Sequence, residues 1–257
     1  MKIATWNINS IRSRVQHLLD FIDEVNPDVL MLQELKCENQ QFPYEELSHL
    51  PYNLYVHGQK SYNGVAILTK FRADEIIYNF PSNPLTEQSR FIEITAQTPI
   101  GFCRIICLYA PNGGEAHSDK FELKLQFFDA INNYLKSIKY FEEKIIIGGD
   151  FNICPFDIDV YSTQEFDNKT GFTLVERSRL RTLLNIGFDD QFRLLNPHLQ
   201  EFSWWDYRGN AFAQNKGMRI DMILTSSNAT TDFSKCYIDY ATRTKIKPSD
   251  HAPVILH

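Results

Sequence analysis

The sequence lacks the features that mark secreted, membrane-spanning and zinc-binding proteins. No apolar run approaches the roughly 18 residues that a membrane span needs, and no basic, apolar leader precedes the strand-like segment at Ile3. Its five cysteines are odd in number and show no CxxC spacing, which fits reduced thiols better than a disulfide framework or a zinc site. We therefore expect a cytoplasmic protein, with no membrane partner.

Linkers, internal repeats and low-complexity tracts are also missing. The 257 residues contain 43% hydrophobic and 13% aromatic residues, a composition typical of a well-packed globular protein. We predict a single catalytic domain over residues 1–257. A positive net charge is absent too: the value of −6 argues mildly against a nucleic-acid partner, although basic residues crowd the last sixth of the chain. These are Lys216, Arg219, Arg243, Lys245 and Lys247.

Three common catalytic motifs are absent. The sequence has no GxSxG nucleophile elbow, no GxxxxGK[ST] phosphate loop and no HExxH zinc motif. These absences argue against an α/β-hydrolase serine nucleophile, a P-loop nucleotide site and a zinc protease. Any catalytic site must therefore be built from other side chains.

The stretch from Lys144 to Asn152 is the most informative part of the sequence. Three consecutive isoleucines indicate a buried strand, and the following Gly148 and Gly149 let the backbone turn. Asp150 and Asn152 then follow two residues apart, so an extended backbone would direct both side chains to the same side. Taken alone, this stretch fits an ordinary strand-to-loop junction as well as a site.

Other predicted strands also carry polar groups at their ends. Asn7 and Asn9 follow the first strand, Glu34 follows the second, and Tyr109 and Asn112 follow a later one. In two further strands the polar groups come first, at Asp221 and at Asp250–His251. Since antiparallel neighbours bring the end of one strand beside the start of the next, one sheet edge can collect them all.

The alternation of strands and helices predicts the fold class. We expect a four-layer α/β sandwich, in which two mixed, mainly antiparallel sheets pack face to face with helices outside. Helices are predicted after Ser10 up to Asn26–Pro27, from Ser118 or Asp119 through Ile138, and from Thr173 to Gly187.

The polar groups fit a metal-assisted reaction at phosphorus. Glu34 and Asp250, with amide oxygens from Asn7 or Asn9, form an all-oxygen set that favours Mg²⁺ or Mn²⁺ over zinc. Among the remaining groups, Asn152 and Tyr109 can donate hydrogen bonds to phosphate oxygens, a protonated His251 can oppose developing charge, and Asp221 can orient His251. Each residue alone has an ordinary alternative, such as a salt bridge, a core histidine or a packed tyrosine.

The residues carry a resemblance to a known family. The chain resembles the exonuclease III family of apurinic/apyrimidinic endonucleases, within the endonuclease/exonuclease/phosphatase superfamily. Any one of the motifs is weak, but seven in order are specific. They are Thr5–Asn9, Leu32–Glu34, Asn63–Ala66, Tyr109–Gly113, Gly149–Asn152, Gly217–Asp221 and Ser249–His251.

The resemblance implies hydrolysis of DNA 5′ to abasic sites, with 3′→5′ exonuclease and 3′-end-cleaning activities, using Mg²⁺ or, as a substitute, Mn²⁺. It implies that Asp150 deprotonates the attacking water while Asn152 holds it, and that Glu34 binds the metal. Asn7, Tyr109 and His251 would contact the scissile phosphate, with Asp221 behind His251. The full set of candidate metal ligands is Glu34, Asn7, Asn9, Asp150, Asn152, Asp250 and His251.

The segment from Trp204 to Asp221 resembles the loop that inserts into DNA in the repair branch. Trp204, Met218 and Ile220 are candidates for an apolar wall around an abasic sugar, which is small enough to enter a pocket that excludes an intact nucleotide. The candidate contacts to flanking DNA are Asn112, Arg208, Lys216 and Arg219. The implied partner is double-stranded DNA with abasic sites or blocked 3′ ends, bound by a monomer of a bacterial-type enzyme working at the nucleoid.

Two alternatives remain open at this point. The first is a phosphodiesterase for lipids or small molecules on the same scaffold, against which the Trp204–Met218 segment argues. The second is a DNA-binding or scaffold protein with an inactive site. Two departures from the family pattern, Leu35 in place of Thr and Ser10 in place of Gly, could alter support around the metal without removing a ligand.

Overall fold

A computed structural model describes residues 1–139 and 143–257 of the chain. The strands are β1 (Ile3–Asn7), β2 (Val29–Gln33), β3 (Asn53–His57), β4 (Val65–Thr69), β5 (Glu75–Ile77), β6 (Phe91–Thr98), β7 (Gly101–Tyr109), β8 (Lys144–Asp150), β9 (Phe188–Asp190), β10 (Asp221–Ser226), β11 (Cys236–Ile238) and β12 (Val254–Leu256). The α-helices are α1 (Val15–Val25), α2 (Tyr44–Leu47), α3 (Asp119–Ile138), α4 (Thr163–Phe166), α5 (Leu174–Asn185), α6 (Gln191–Leu195) and α7 (Ser227–Thr230).

The strands form two six-stranded mixed sheets, which confirms the predicted fold class. One sheet has the order β11-β12-β1-β2-β4-β3, and the other has the order β5-β6-β7-β8-β10-β9. Only β1–β2 and β7–β8 pair in parallel among the strand pairs of the described residues. The sheets pack face to face, because one apolar cluster contains residues of both sheets. A second cluster joins the first sheet to α1, and a third joins the second sheet to α3 and α5, so these helices lie outside the sheets.

Strand β8 shows how the sequence builds these layers. Successive side chains of a strand point to opposite faces, so Ile146 packs between the two sheets while Ile145 and Ile147 pack against the outer helices. A side chain at Gly148 would overlap Met31 of the facing sheet. Glycine at this position therefore lets the two sheets approach closely beside the strand end that carries Asp150.

Helix boundaries follow the predicted local signals. Asn26 ends α1 in the left-handed conformation, with φ of 49°. The Ser118 side chain accepts a hydrogen bond from the Phe121 N–H at the start of α3, and Thr173 and Glu176 form a reciprocal capping box at α5. Among the described helices, none has the length and apolar character that crossing a membrane requires.

The structure corrects several element boundaries. The stretch from Lys36 to Lys60 contains α2 and the edge strand β3, neither of which is among the elements named from the sequence. Helix α1 begins at Val15, later than the apolar spacing from Ile11 indicates. Strand β12 begins at Val254, so Asp250 and His251 lie in the segment before it. Edge strands and short segments bury only part of their side chains, so their sequences show little of the hydrophobic periodicity from which strands and helices are predicted.

Candidate active site

One edge of the sandwich collects the polar strand ends. Because β7 and β8 are parallel, Tyr109 pairs with Asp150 at their common end. Because β10 runs antiparallel to β8, its first residue, Asp221, is also opposite Asp150. Parallel β1 and β2 end together in the same way and present Asn7 and Glu34. The predicted convergence of these side chains at one edge therefore follows from strand direction and register.

Asn7 links the two central carboxylates. Its Nδ2 donates hydrogen bonds to Glu34 Oε1 at 2.8 Å and to Asp150 Oδ2 at 3.0 Å. The Tyr109 hydroxyl donates to the same Glu34 oxygen at 2.9 Å. Burial raises the pKa of the Glu34 carboxyl, but the Asn7 hydrogen bond and the Lys36 ammonium outweigh it and lower the pKa. Glu34 is therefore an ionised, oriented oxygen donor at neutral pH.

Asp150 is almost completely buried at the centre of the cluster. Its Oδ1 accepts a hydrogen bond from the Asn152 backbone N–H at 2.9 Å, which fixes the carboxylate plane. Asn152 has φ of 52°, so the chain turns directly after β8 and its side chain returns to Asp150 Oδ2 at 3.3 Å. Burial raises the pKa of Asp150 to about 7, against the lowering effect of His251. Asp150 can therefore exchange a proton near neutral pH.

His251 is held between two carboxylates. Its Nδ1 is 2.8 Å from Asp221 Oδ2, and its Nε2 is 3.8 Å from Asp150 Oδ2. Burial lowers the His251 pKa, but the carboxylates of Asp221 and Asp150 outweigh it and raise the pKa to about 10. The imidazole is therefore protonated at neutral pH and presents a cationic N–H beside Asp150.

The donor set fits a hard divalent cation. Glu34, Asp150 and His251 each offer a ligand atom, and these atoms lie within 4.8 Å of one another. Two carboxylates facing a solvent-connected cavity suit Mg²⁺, which needs few protein ligands and keeps water in its shell. Protonated His251 is not available as a ligand, so the oxygen atoms of Glu34 and Asp150 are the strongest candidates.

The amide oxygens of Asn7 and Asn9, both candidate metal ligands, each accept a hydrogen bond. The Asn7 amide oxygen accepts a hydrogen bond from the Asn9 backbone N–H at 3.1 Å, and the Asn9 amide oxygen accepts one from Lys36 at 2.5 Å. Asp250 accepts hydrogen bonds from Asn9 Nδ2 at 2.8 Å and from Trp204 Nε1 at 3.0 Å. Asp250 lies outside the three-residue cluster among the described residues.

Two cations in the site were missed from the sequence. Lys36 forms a 2.9 Å ion pair with Glu34 and so partly neutralises it. The Arg90 guanidinium lies 4.6 Å from the centroid of the Tyr109 ring, and its Nη1 donates to the Tyr109 carbonyl. Lys36 has φ of 54° just beyond β2, a conformation that the sequence does not signal for lysine.

A third missed cation lies behind the site. Lys124 is fully buried and donates to the carbonyl oxygens of Asn112 at 3.0 Å and Asn152 at 2.8 Å, as well as to Glu176 at 2.5 Å. The Glu176 carboxylate in turn accepts from the Gly171 N–H. This buried pair connects three loops around the site, and the only sequence signal for it was the capping box at Glu176.

The carboxylate cluster opens into a cavity of about 780 Å³. The predicted wall residues Trp204, Met218 and Ile220 line it and belong to one apolar cluster. Asn112 and the cations Arg208 and Lys216 also line it, as predicted for substrate contacts. Tyr161, Phe166, Lys169, Thr170 and Gly171 also line it, although none of them was a candidate from the sequence.

The structure does not place Arg219, a candidate DNA contact, on the cavity surface. Arg219 is fully buried and forms paired hydrogen bonds with Asp159 and Asp190, at distances from 2.7 to 3.1 Å. Met218 and Ile220 line the cavity, so the residue between them points to the opposite side. Arg219 therefore has a structural role.

Substituting Arg219 tests this correction. The Arg219→Met variant should lower the free energy of unfolding by about 3–5 kcal/mol, because Asp159 and Asp190 would lose the charge that compensates them. Urea unfolding followed by circular dichroism measures the change, with exposed Arg208→Met as the matched control. A variant as stable as the parent would contradict the structural role.

Fold and site together define a class of protein: a two-sheet α/β sandwich with a metal-assisted site for hydrolysing phosphate esters. Residues 4–251 match the endonuclease/exonuclease/phosphatase family. The chain is 37% identical to exodeoxyribonuclease III of Haemophilus influenzae, over 99% of this chain and 98% of that protein. The chain therefore belongs to the endonuclease/exonuclease/phosphatase family, whose members are typically metal-dependent.

Solved structures agree with this membership. The 3′ phosphatase NExo from Neisseria, bound to a product DNA hairpin, matches with a TM-score of 0.96 and 35% identity, over 100% of this chain and 98% of that chain. An AP endonuclease from Archaeoglobus fulgidus matches with a TM-score of 0.94 and 32% identity, over 100% of this chain and 98% of that chain. The chain is thus similar to nucleases that act at abasic sites and at 3′ ends.

Proposed function

We propose that this protein is a DNA-repair phosphodiesterase. It hydrolyses the DNA backbone 5′ to abasic sites to leave a 3′-OH, removes nucleotides from 3′ ends, and cleans blocked 3′ ends. The observation that carries the proposal is the Asp150 carboxylate, joined to Glu34 through Asn7 and 3.8 Å from the His251 Nε2, at the base of a cavity with an apolar wall. The relatives named above support DNA as the substrate.

The residues of the site have different roles in in-line hydrolysis. Asp150, oriented by Asn152, accepts a proton from the attacking water. Protonated His251, held by Asp221, donates a hydrogen bond to a non-bridging phosphate oxygen and opposes the charge that develops there. Without substrate, Asn7 donates to Glu34 and Asp150 and Tyr109 donates to Glu34, and we propose that each exchanges one of these hydrogen bonds for one to the same phosphate.

Glu34, with Asp150, would hold the divalent cation, which we propose to be Mg²⁺ with Mn²⁺ as a substitute. When bound, the cation supplies positive charge against the phosphate oxygens. The Lys36 ion pair holds the Glu34 carboxylate in place on its other side. Asp250, oriented by Trp204 and Asn9, is proposed for a second metal position or for support of the first.

Local charge and shape favour damaged DNA. Lys169, Lys216 and Arg208, the last paired with Asp206, line the cavity, so a chain of net charge −6 has cations at the cavity wall where phosphates would lie. Trp204 and Met218 supply an apolar wall suited to a deoxyribose without a base. We propose that a monomer acts on double-stranded DNA with abasic sites or blocked 3′ ends; the cytoplasmic location and the single domain over 1–257 stay predictions.

An oligonucleotide duplex with one abasic analogue tests the function. We expect incision on its 5′ side that requires Mg²⁺, stops with EDTA and returns with added Mg²⁺, because the site relies on a cation for charge neutralisation. Gel analysis of the product ends measures it, with an undamaged duplex and a phosphoinositide as comparison substrates. Phosphoinositide cleavage without incision would favour the lipid alternative, and metal-independent DNA binding without turnover would favour an inactive scaffold.

A further inference from the structure

Part of the cavity wall has no role in the hydrolysis described above. Tyr161 and Phe166 both line the cavity and are partly exposed. Their ring centroids are 5.5 Å apart, with an interplanar angle of 88°. The two rings therefore form an aromatic corner open to the same space as the carboxylate cluster.

The aromatic corner is held in place by the fold. The Tyr161 N–H donates to the Gly217 carbonyl at 3.1 Å, and its hydroxyl donates to Glu165. Phe166 ends α4, whose first turn is capped by the Ser162 side chain. The ring of Phe166 packs against the apolar cluster that contains the wall residue Met218. The corner is thus fixed before any ligand binds.

Two exposed lysines lie over the two rings, so a stacking base would replace these contacts. Lys216 Nζ lies 5.9 Å from the centroid of the Tyr161 ring, and Lys169 Nζ lies 5.8 Å from the centroid of the Phe166 ring. Aromatic faces accept bases by stacking whatever their sequence, and nearby lysines hold the phosphates of the same strand. A corner of two rings with two lysines is the arrangement that an unpaired nucleotide requires.

We propose that Tyr161 and Phe166 form a subsite for the nucleobase of the 3′-terminal nucleotide. This inference rests on the proposed function and deepens it, because it assigns the two rings to the exonuclease reaction alone. The cavity of about 780 Å³ has room for a base in addition to the sugar, so its size alone does not exclude an intact nucleotide, contrary to the expectation from the sequence. A pocket for an abasic sugar alone would not need a stacking surface beyond Met218 and Trp204.

The chemistry explains why only one reaction uses the subsite. In each reaction, water oxygen forms a bond to phosphorus, Asp150 takes the water proton, and the P–O3′ bond breaks as the departing O3′ gains a proton from solvent. In exonuclease action the released nucleotide carries its 5′-phosphate and a base. In abasic incision nothing is released: the strand is nicked, and the baseless sugar stays on the downstream strand, which carries the 5′-phosphate. In 3′-phosphate removal the released group is orthophosphate.

Comparing three substrates tests the subsite. Tyr161→Ala and Phe166→Ala are assayed on one duplex that ends in a normal 3′ nucleotide, in a 3′-phosphate, or contains an abasic analogue. Loss of one stacked base should lower kcat/KM of the exonuclease reaction by about tenfold to a hundredfold, with the other two reactions unchanged. Tyr161→Phe, which keeps the ring, should retain the exonuclease rate.

Tyr44→Ala is the matched control, since Tyr44 is 42% exposed on α2 and lies outside the cavity. Equal losses in all three reactions, or no loss in any, would overturn the subsite. A direct readout keeps this test separate from the proposed function: a 3′-terminal 2-aminopurine, bound in EDTA, should be quenched by the parent protein and brighter with Tyr161→Ala/Phe166→Ala. Equal quenching by both proteins would also overturn it, even if the protein cleaves no abasic DNA.

Discussion

Replacing Asp150 by asparagine is expected to lower kcat on abasic DNA by about 10²–10⁴-fold, the range for loss of a positioned general base. Asp150 accepts hydrogen bonds from the Asn152 N–H and from Asn7, so it is oriented before substrate binds. The asparagine has nearly the same shape but cannot take a proton from water. Single-turnover kinetics at saturating protein measure the chemical step directly.

Controls separate chemistry from folding. Asn at position 150 would meet donors from Asn152 and Asn7, so thermal unfolding of the variant must be measured beside activity. Asp129→Asn on α3 is the matched control, because Asp129 has an exposed side chain paired only with Arg179 among the described residues. A variant that folds and turns over at a near-normal rate would remove Asp150 from the role of base.

The pH dependence of the parent protein follows from the same residue. Burial raises the Asp150 pKa to about 7, so the basic carboxylate accumulates as pH rises through that value. The charge of a bound divalent cation lowers this pKa, so the acid limb of kcat should lie at or below about pH 7. The alkaline limb should follow loss of the His251 proton, whose pKa the flanking carboxylates raise to about 10.

Strand direction explains why so much of the site could be predicted. Asp150 follows three isoleucines and Glu34 follows Val29–Gln33, so each strand could be recognised from its own residues. A polar residue at the end of a strand lies where the sheet meets the loops, and this position does not depend on which strands are its neighbours. The sequence does not show which strands are neighbours, yet the register that sets Asp221 opposite Asp150 follows once they pair.

The errors arise where a side chain's direction depends on distant residues. Arg219 is basic and lies in the segment that resembles a DNA-inserting loop, but its ion pairs with Asp159 and Asp190 hold it inside the protein. Its neighbours Met218 and Ile220 were already assigned to the cavity wall. Because successive side chains of an extended chain point to opposite sides, Arg219 could have been excluded from that wall. Asn9 offered no such signal, because Lys36 reaches its amide oxygen from another loop.

Replacing Asp221 by asparagine should lower kcat at pH 8 on the order of 10²-fold, because weakening one preorganised donor to the developing phosphate charge costs roughly that much. Asp221 Oδ2 is 2.8 Å from His251 Nδ1 and is the largest of the influences that raise the His251 pKa. Without that carboxylate, Asp150 and Asp250 still raise the His251 pKa but oppose burial less strongly, so the imidazole loses its proton at a lower pH. Less of the protein then presents a cationic N–H to the phosphate.

A pH series distinguishes this role from a structural one. The alkaline limb of kcat should move to lower pH in Asp221→Asn, which a uniform loss of folded protein would not produce. Because the His251 pKa is raised above its usual 6.5, the stability that the ion pair contributes is complete below about pH 6.5 and is lost as pH rises through about 10. The parent should therefore lose thermal stability over that range more steeply than the variant. A rate profile of unchanged shape and lower amplitude would show that Asp221 does not control the His251 proton.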